Sequence, residues 1–252
     1  MYQTSRRSLT LLLVAVLFPV LSCGEGTDTD PAPLTESRES EISRELASYG
    51  LTVSTRDSVI YRVEGRLTDS LFSEARHAIA PLDSLHALTI SFKSAPFSNL
   101  AGLGSLTRVQ SLNMTGNDTL RSLEGFPLLS ELTSLNLSGA DNLESLEGLP
   151  DLPKLVTLNL SATPRLGDLE AMAGLSTLKT LDLSYNGSLA DLSHLPGIDT
   201  LESLDLSYCD SFNDLNSLPR LPALRTVRIY NTAVKPEDAD AFARARGVTI
   251  DR

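Results

Sequence analysis

Residues 129–152 read LSELTSLNLSGADNLESLEGLPDL, and residues 152–175 repeat the arrangement as LPKLVTLNLSATPRLGDLEAMAGL. Within the first copy, Ser134-Leu135-Asn136-Leu137-Ser138 alternates polar and apolar residues, as a strand with one buried face requires. The stretch that follows, Leu143-x-x-Leu146-x-x-Leu149, places apolar residues every third position. Prolines interrupt such stretches at Pro127, Pro150, Pro153, Pro196, Pro219 and Pro222. An α-helix rejects an internal proline by about 3 kcal/mol, and a period of three suits 3₁₀ turns. Each unit therefore reads as a strand, a tight corner, and a 3₁₀ or extended return.

The central strand position recurs as Leu112, Leu135, Leu158, Leu181, Leu204 and Val227, a constant step of 23 residues. Two residues on stand Met114, Leu137, Leu160, Leu183, Leu206 and Ile229, and five residues on stand Asn117, Ala140, Thr163, Asn186, Cys209 and Thr232. An earlier copy, Leu82-x-x-Leu85-x-x-Leu88-x-Ile90, aligns at an offset of 24, which predicts one inserted residue near Lys93 to Pro96. One strand per unit, always in the same sense, stacks into a parallel sheet. The composition fits a repeated unit: leucine fills 48 of 252 positions, whereas Phe, Tyr and Trp together fill 13.

The pattern L-x-x-L-x-L-x-x-N/C resembles the leucine-rich repeats, in particular the short bacterial class of the internalins, over residues 82–232. The resemblance implies an α/β solenoid: a horseshoe with a parallel β-sheet on the concave face, a 3₁₀ or extended convex side and helical terminal caps. It also implies that the Asn or Cys of the corner bonds to the backbone of neighbouring turns. Asn117, Asn186 and Cys209 match that position; Ala140 cannot make the bond and should interrupt the ladder.

The ends read as caps that shield the open core of the stack. In the N-terminal cap, residues 41–81, Ile42, Leu46 and Tyr49 share one face of a short helix. Leu51–Ser54 and Ser58–Val63 read as strands, and Thr68 with Asp69 can start a helix that runs to about Ala80 and is stopped by Pro81. In the C-terminal cap, residues 233–252, Pro236 opens a helix with Glu237 and Asp238 in its first turn, Arg244 and Arg246 at its end and Gly247 beyond. Val248-Thr249-Ile250 reads as a last strand.

The first 22 residues read as an export signal: Arg6 and Arg7 precede an apolar run of 13 residues, Leu9 to Leu21. That run is too short to span a bilayer, which takes about 20 residues, and suits a secretory signal. It ends in Val20-Leu21-Ser22-Cys23-Gly24, which resembles the bacterial lipobox. The resemblance implies a lipoprotein with acyl chains on Cys23. Gly24 in place of Asp after the cysteine implies sorting to the outer membrane of a Gram-negative cell envelope. Residues 23–40 lack apolar periodicity and read as a flexible tether. Without residues 1–22, which carry two arginines and no acid, the net charge moves from −11 to −13.

That acidic balance argues against nucleic acid as a partner. His77, His86 and His194 form no metal-ligand or catalytic pattern, and Asp28 with Asp30 are too few oxygen ligands for calcium. No catalytic residue, metal or cofactor is expected. Cys209 reads as a small buried corner residue and not as a nucleophile.

The candidate site is the concave face. Its outward column runs Asn113, Asn136, Asn159, Asp182, Asp205 and Arg228; in the first three repeats it reads as an ordinary solvated sheet face. The later repeats add three tyrosines, so Asp182, Tyr185, Asp205, Tyr208, Arg228 and Tyr230 are the candidate partner-binding residues. Tyr185 and Tyr208 share one register and should stand about 4.8 Å apart on adjacent turns. The expected function is binding of a protein or peptide by a membrane-anchored, extracytoplasmic chain. The alternative is a structural envelope lipoprotein with no dedicated ligand.

Overall fold

The computed structural model describes residues 36–56, 59–65, 88–93, 100, 103–104, 106 and 108–252. The alternation of apolar and polar residues produces ten strands in one sheet among these residues: β1 Leu51–Arg56, β2 Val59–Gly65, β3 Leu88–Ser91, β4 Val109–Asn113, β5 Ser134–Asn136, β6 Thr157–Asn159, β7 Thr180–Asp182, β8 Ser203–Asp205, β9 Thr226–Arg228 and β10 Thr249–Asp251. Spatial order follows chain order from β1 to β10. β1 and β2 form an antiparallel hairpin, and every later pair is parallel. This is the leucine-rich-repeat solenoid.

The register reproduces the 23-residue step: Leu112, Leu135, Leu158, Leu181, Leu204 and Val227 stand opposite one another across successive strands. The step continues into the C-terminal cap, where Ile250 pairs with Val227. The first copy is corrected. Ile90, not Leu88, pairs with Leu112, and the register shifts between Leu88 and Thr89. The offset is therefore 22, one residue short instead of one long, and buried Phe92 fills the seat that Met114 takes in the next turn. Leu88 and Ile90 both fit a strand, so alternation alone could not choose between them; the shift at Leu88 supplies the difference.

The core is a column of leucines. The central residues of β4 to β9 and the residues two places on are all at most 5% exposed, and the return segments add Leu143, Leu146, Leu152 and Leu155 at 0%. Full burial of one such side chain stabilises the fold by about 1.5–3 kcal/mol. The returns are extended or 3₁₀, with 3₁₀ turns at Glu170–Gly174 and Leu215–Ser217. A series outside the leucines shapes them. Ser122, Ser145, Asp168, Asp191 and Asp214, again 23 apart, each accept the backbone N–H two residues on. At Asp191 the Ser193 hydroxyl and N–H hold the carboxyl below its ordinary value.

At the N-terminal end, helix α1 (Glu36–Ser48) buries Ile42 and Leu46. It starts at Glu36, within the stretch that composition assigned to the tether. At the other end, helix α2 (Pro236–Arg246) carries Pro at its start, Glu237 and Asp238 in its first turn, and Gly247 at φ 69° as its left-handed stop. The helix buries Ala239 and Phe242, and Arg246 lies over the Phe242 ring at 5.3 Å while donating to the Pro219 carbonyl. Residues 1–35, the helix expected over 68–80, His77 and His86 lie outside the described residues.

Candidate functional site

Beyond strands β4 to β8 the ladder between turns continues into the corner. Gly116 donates to Ser138 O, Gly139 to Ser161 O, Ala162 to Ser184 O, Tyr185 to Ser207 O and Tyr208 to Tyr230 O. The residue at this corner must be left-handed. Gly116 has φ 70°, Gly139 67°, Ala162 52°, Tyr185 60°, Tyr208 61° and Asn231 52°. Glycine and asparagine suit that region, whereas bulky side chains are outliers there. Two of the six seats nonetheless hold tyrosine.

Those tyrosines stack: the Tyr185 and Tyr208 ring centroids are 4.5 Å apart with planes 6° from parallel. The expected one-turn spacing is met. Both rings face solvent, Tyr185 at 58% and Tyr208 at 43% exposure, and Tyr230 is equally open at 43%. Such pairs contribute about 0.5–1.5 kcal/mol beyond area burial, which offsets part of the backbone strain.

The Asn/Asp column is not a free solvated face. The side-chain oxygens of Asn113, Asn136, Asn159, Asp182 and Asp205 each accept the backbone N–H two residues on, closing the strand end. Asp182 also takes a hydrogen bond from Asn159 Nδ2 at 3.1 Å and from the Ser184 hydroxyl. Asp205 lies 3.5 Å from Arg228, whose guanidinium also reaches Asp251 at 3.7 Å. The six candidate residues therefore share three adjacent turns: Asp182, Asp205 and Arg228 on the strands, Tyr230 on their flank, and Tyr185 with Tyr208 at the corner. The strand-end role was invisible in the sequence, where Asn or Asp fits solvent and cap equally.

The buried corner follows the ladder that the family resemblance implies. Asn186 Nδ2 donates to Leu160 O at 2.9 Å and Leu183 O at 2.8 Å, and its Oδ1 accepts from the Thr163 N–H. Asn117 donates to Phe92 O and Met114 O. Thr163 and Thr232 substitute partly, each bonding one carbonyl of its own turn. Ala140, wholly buried, interrupts the series of polar side chains. Cys209 is wholly buried and its Sγ lies 3.2 Å from Leu183 O. Burial pushes its thiol up to about 11, and Asp205, Asp210 and Asp182 act in the same direction. At neutral pH the group is a protonated corner residue, not a thiolate nucleophile.

His194 is exposed on the return side, 3.5 Å from Glu170. Among the described residues no cluster of His, Cys, Asp or Glu is arranged to hold a metal ion. No helix among them is long and apolar enough to cross a membrane.

Comparison with one solved structure agrees at the level of the fold. Internalin C2 of Listeria monocytogenes matches over 83% of this chain and 92% of its own, with a TM-score of 0.52 at 18% identity. An internalin (InlF) of the same species matches at TM-score 0.27 and 19% identity, over 68% of this chain and 63% of that one. A leucine-rich-repeat protein of Leptospira interrogans matches at TM-score 0.29 and 16% identity, over 70% and 57%. No protein-family profile and no curated protein sequence matches the chain. The chain has the leucine-rich-repeat solenoid fold, which it shares with internalin C2.

Proposed function

We propose that the chain is a lipid-anchored, extracytoplasmic binding protein. It holds a protein or peptide partner on the C-terminal half of its concave face, through Asp182, Tyr185, Asp205, Tyr208, Arg228 and Tyr230, and performs no catalysis of its own. The observation that carries this reading is the exposed Tyr185–Tyr208 stack at a corner whose other seats hold Gly, Ala or Asn. The repeats fold without tyrosine there, so the strain and exposure of two rings call for a use outside the fold. Tyrosine and arginine together are the usual anchors of protein interfaces. The anchor rests on the Val20–Cys23 lipobox and places the chain in the cell envelope, at the outer membrane of a Gram-negative bacterium.

The test is capture of a partner from solubilised envelope by the native chain and by a Tyr208→Ala, Tyr230→Ala double variant with an unchanged melting transition. Loss of one stoichiometric partner in the variant is the expected result; equal capture by both removes the patch from the reading. Cys23→Ser should abolish labelling by palmitate and release the protein from the membrane. Retained labelling would refute the lipoprotein assignment.

The second reading, a structural lipoprotein with no ligand, draws on the engagement of the Asn/Asp column by its own strand ends. Capture of no partner by the native chain would favour it.

A further inference from the structure

The left-handed corner seats form a ladder along the solenoid, and its sequence is Gly116, Gly139, Ala162, Tyr185, Tyr208, Asn231. Rings in neighbouring seats meet face to face, since Tyr185 and Tyr208 are 4.5 Å apart and nearly parallel. Each ring therefore turns one face to its tyrosine neighbour and the other along the solenoid. The other face of Tyr185 looks toward the preceding turn, where the seat carries only the methyl of Ala162, and beyond it Gly139 carries none. The exposures agree: Tyr185 is the more open of the two rings, 58% against 43%. A planar group resting above Ala162 would meet Tyr185 as Tyr208 does from the opposite side.

The charge around this ring selects among planar groups. Asp182 stands three residues before Tyr185 and Asp205 three before Tyr208, and Asp210 follows two residues after Tyr208. Arg228 is engaged by Asp205 and Asp251; on the Ala162 turn Lys154 is engaged by Glu131, and Arg165 is exposed. Asp182 meets no cation among the described residues. The whole chain carries −11. A guanidinium is planar, carries its charge permanently, and gains both from an aromatic face within about 6 Å and from adjacent carboxylates.

We propose that the open face of Tyr185 above Ala162, on the turn that carries the Asp182 carboxylate, is a stacking shelf for an arginine side chain on an extended segment of the partner protein. This rests on the reading of the C-terminal concave face as a partner surface and names the chemistry it selects. A neutral sugar could stack on the same ring but would leave the acidic surroundings unused. Lysine would answer the charge without the plane.

The experiment is calorimetric titration of the detergent-solubilised full chain with three blocked peptides, a Gly-Arg repeat and its lysine and citrulline counterparts. Citrulline keeps the plane and lacks the charge. The arginine peptide should bind about tenfold tighter than either of the others. Ala162→Tyr, which covers the Tyr185 face and moves the open face one turn on, to the turn of neutral Asn159, and Tyr185→Asn, whose new residue suits the left-handed seat as Asn231 does, should each remove that preference. Asp182→Asn keeps the strand-end hydrogen bond, as Asn159 shows, and should weaken the arginine peptide and flatten its salt dependence. Two correctly folded variants guard against misfolding of either one.

Equal binding of arginine and lysine peptides, or an arginine preference that survives in Tyr185→Asn, would overturn the shelf. So would binding of a neutral oligosaccharide such as chitohexaose with none of the arginine peptide. If the shelf fails while partner capture still depends on Tyr208 and Tyr230, only the arginine assignment falls. If both fail, the partner surface falls with it.

Discussion

The turns centred on Leu112, Leu135 and Leu158 and those centred on Leu181, Leu204 and Val227 share a backbone and a core but differ in what they show to solvent. In both halves the central residue is at most 1% exposed and the register is the same. The first half fills the outward strand seat with Asn113, Asn136 and Asn159 and the corner seat with Gly116, Gly139 and Ala162, the residues that serve the backbone with least bulk. The second half places Asp182, Asp205 and Arg228 in the strand seat and Tyr185, Tyr208 and Asn231 in the corner. Because the fold asks the same of every turn, the first half acts as an internal reference. Departures from it mark what the fold does not need.

The largest effect should leave the halves alike. Leu158→Ala and Leu181→Ala each remove a wholly buried side chain, one on each side of the divide, and each should cost about 2–5 kcal/mol. Urea melts measure both. A cost confined to one half would mean that the core is not continuous and that the reference is invalid.

The buried corner column holds a single ionisable group among the described residues. Asn117 and Asn186 carry amides that do not ionise, whereas Cys209 carries a thiol raised from 9.0 to about 11. The folded state therefore holds this proton more tightly than the unfolded chain. Stability from this group is fully present below pH 9 and should decline as the pH rises toward 11, because the unfolded chain ionises first. Denaturant melts across that range should show a decline that Cys209→Ala lacks. A neutral-pH thiol reagent should label Cys209 only as the chain unfolds; rapid labelling of native protein would contradict its burial.

Much of this was legible in the chain itself, because the repeat makes each position visible several times over. The leucine register, the C-terminal helix with its Pro236 start and Gly247 stop, and the one-turn spacing of Tyr185 and Tyr208 all follow from periodicity and local backbone preference. What escaped has a common cause. Asn136 serves equally well as a solvated residue and as a strand-end acceptor, and Leu88 and Ile90 are interchangeable in an alternating pattern. Only the backbone decides between such readings. The left-handed corner was hidden for the same reason: Gly116, Gly139 and Asn231 announce it, but Tyr185 and Tyr208 in the same column disguise it.

The strand-end acceptor supplies a smaller test. Asn136→Ala removes the oxygen that receives the Ser138 N–H and should cost about 1 kcal/mol, more than a solvated surface position would. Asp182→Asn keeps the oxygen that receives the Ser184 N–H, as Asn159 does for Ser161, but turns an NH2 group toward Asn159 Nδ2, so it should lower the urea midpoint by less than Asn136→Ala does. Equal destabilisation by both would show that the Asn159–Asp182 bond between turns matters as much as the strand-end bond.

The smallest expected effect is the most discriminating. Tyr185→Asn exchanges a strained bulky residue for one suited to the left-handed seat, relieving on the order of 1–2 kcal/mol of backbone strain. It also removes a stack that contributes about 0.5–1.5 kcal/mol. These terms oppose each other, so the net change in stability should fall within about 0.5 kcal/mol. Gly139→Tyr makes the reverse exchange in the reference half, where a ring would find Gly116 and Ala162 in the adjoining seats and no stacking partner. It should therefore destabilise by the uncompensated strain. Parallel thermal melts of the two variants decide the point. A large loss on removing Tyr185, with none on adding a tyrosine at 139, would mean that the stack holds the solenoid together. The rings would then belong to the fold, and the case for a partner surface would have to rest on Arg228 and Tyr230 alone.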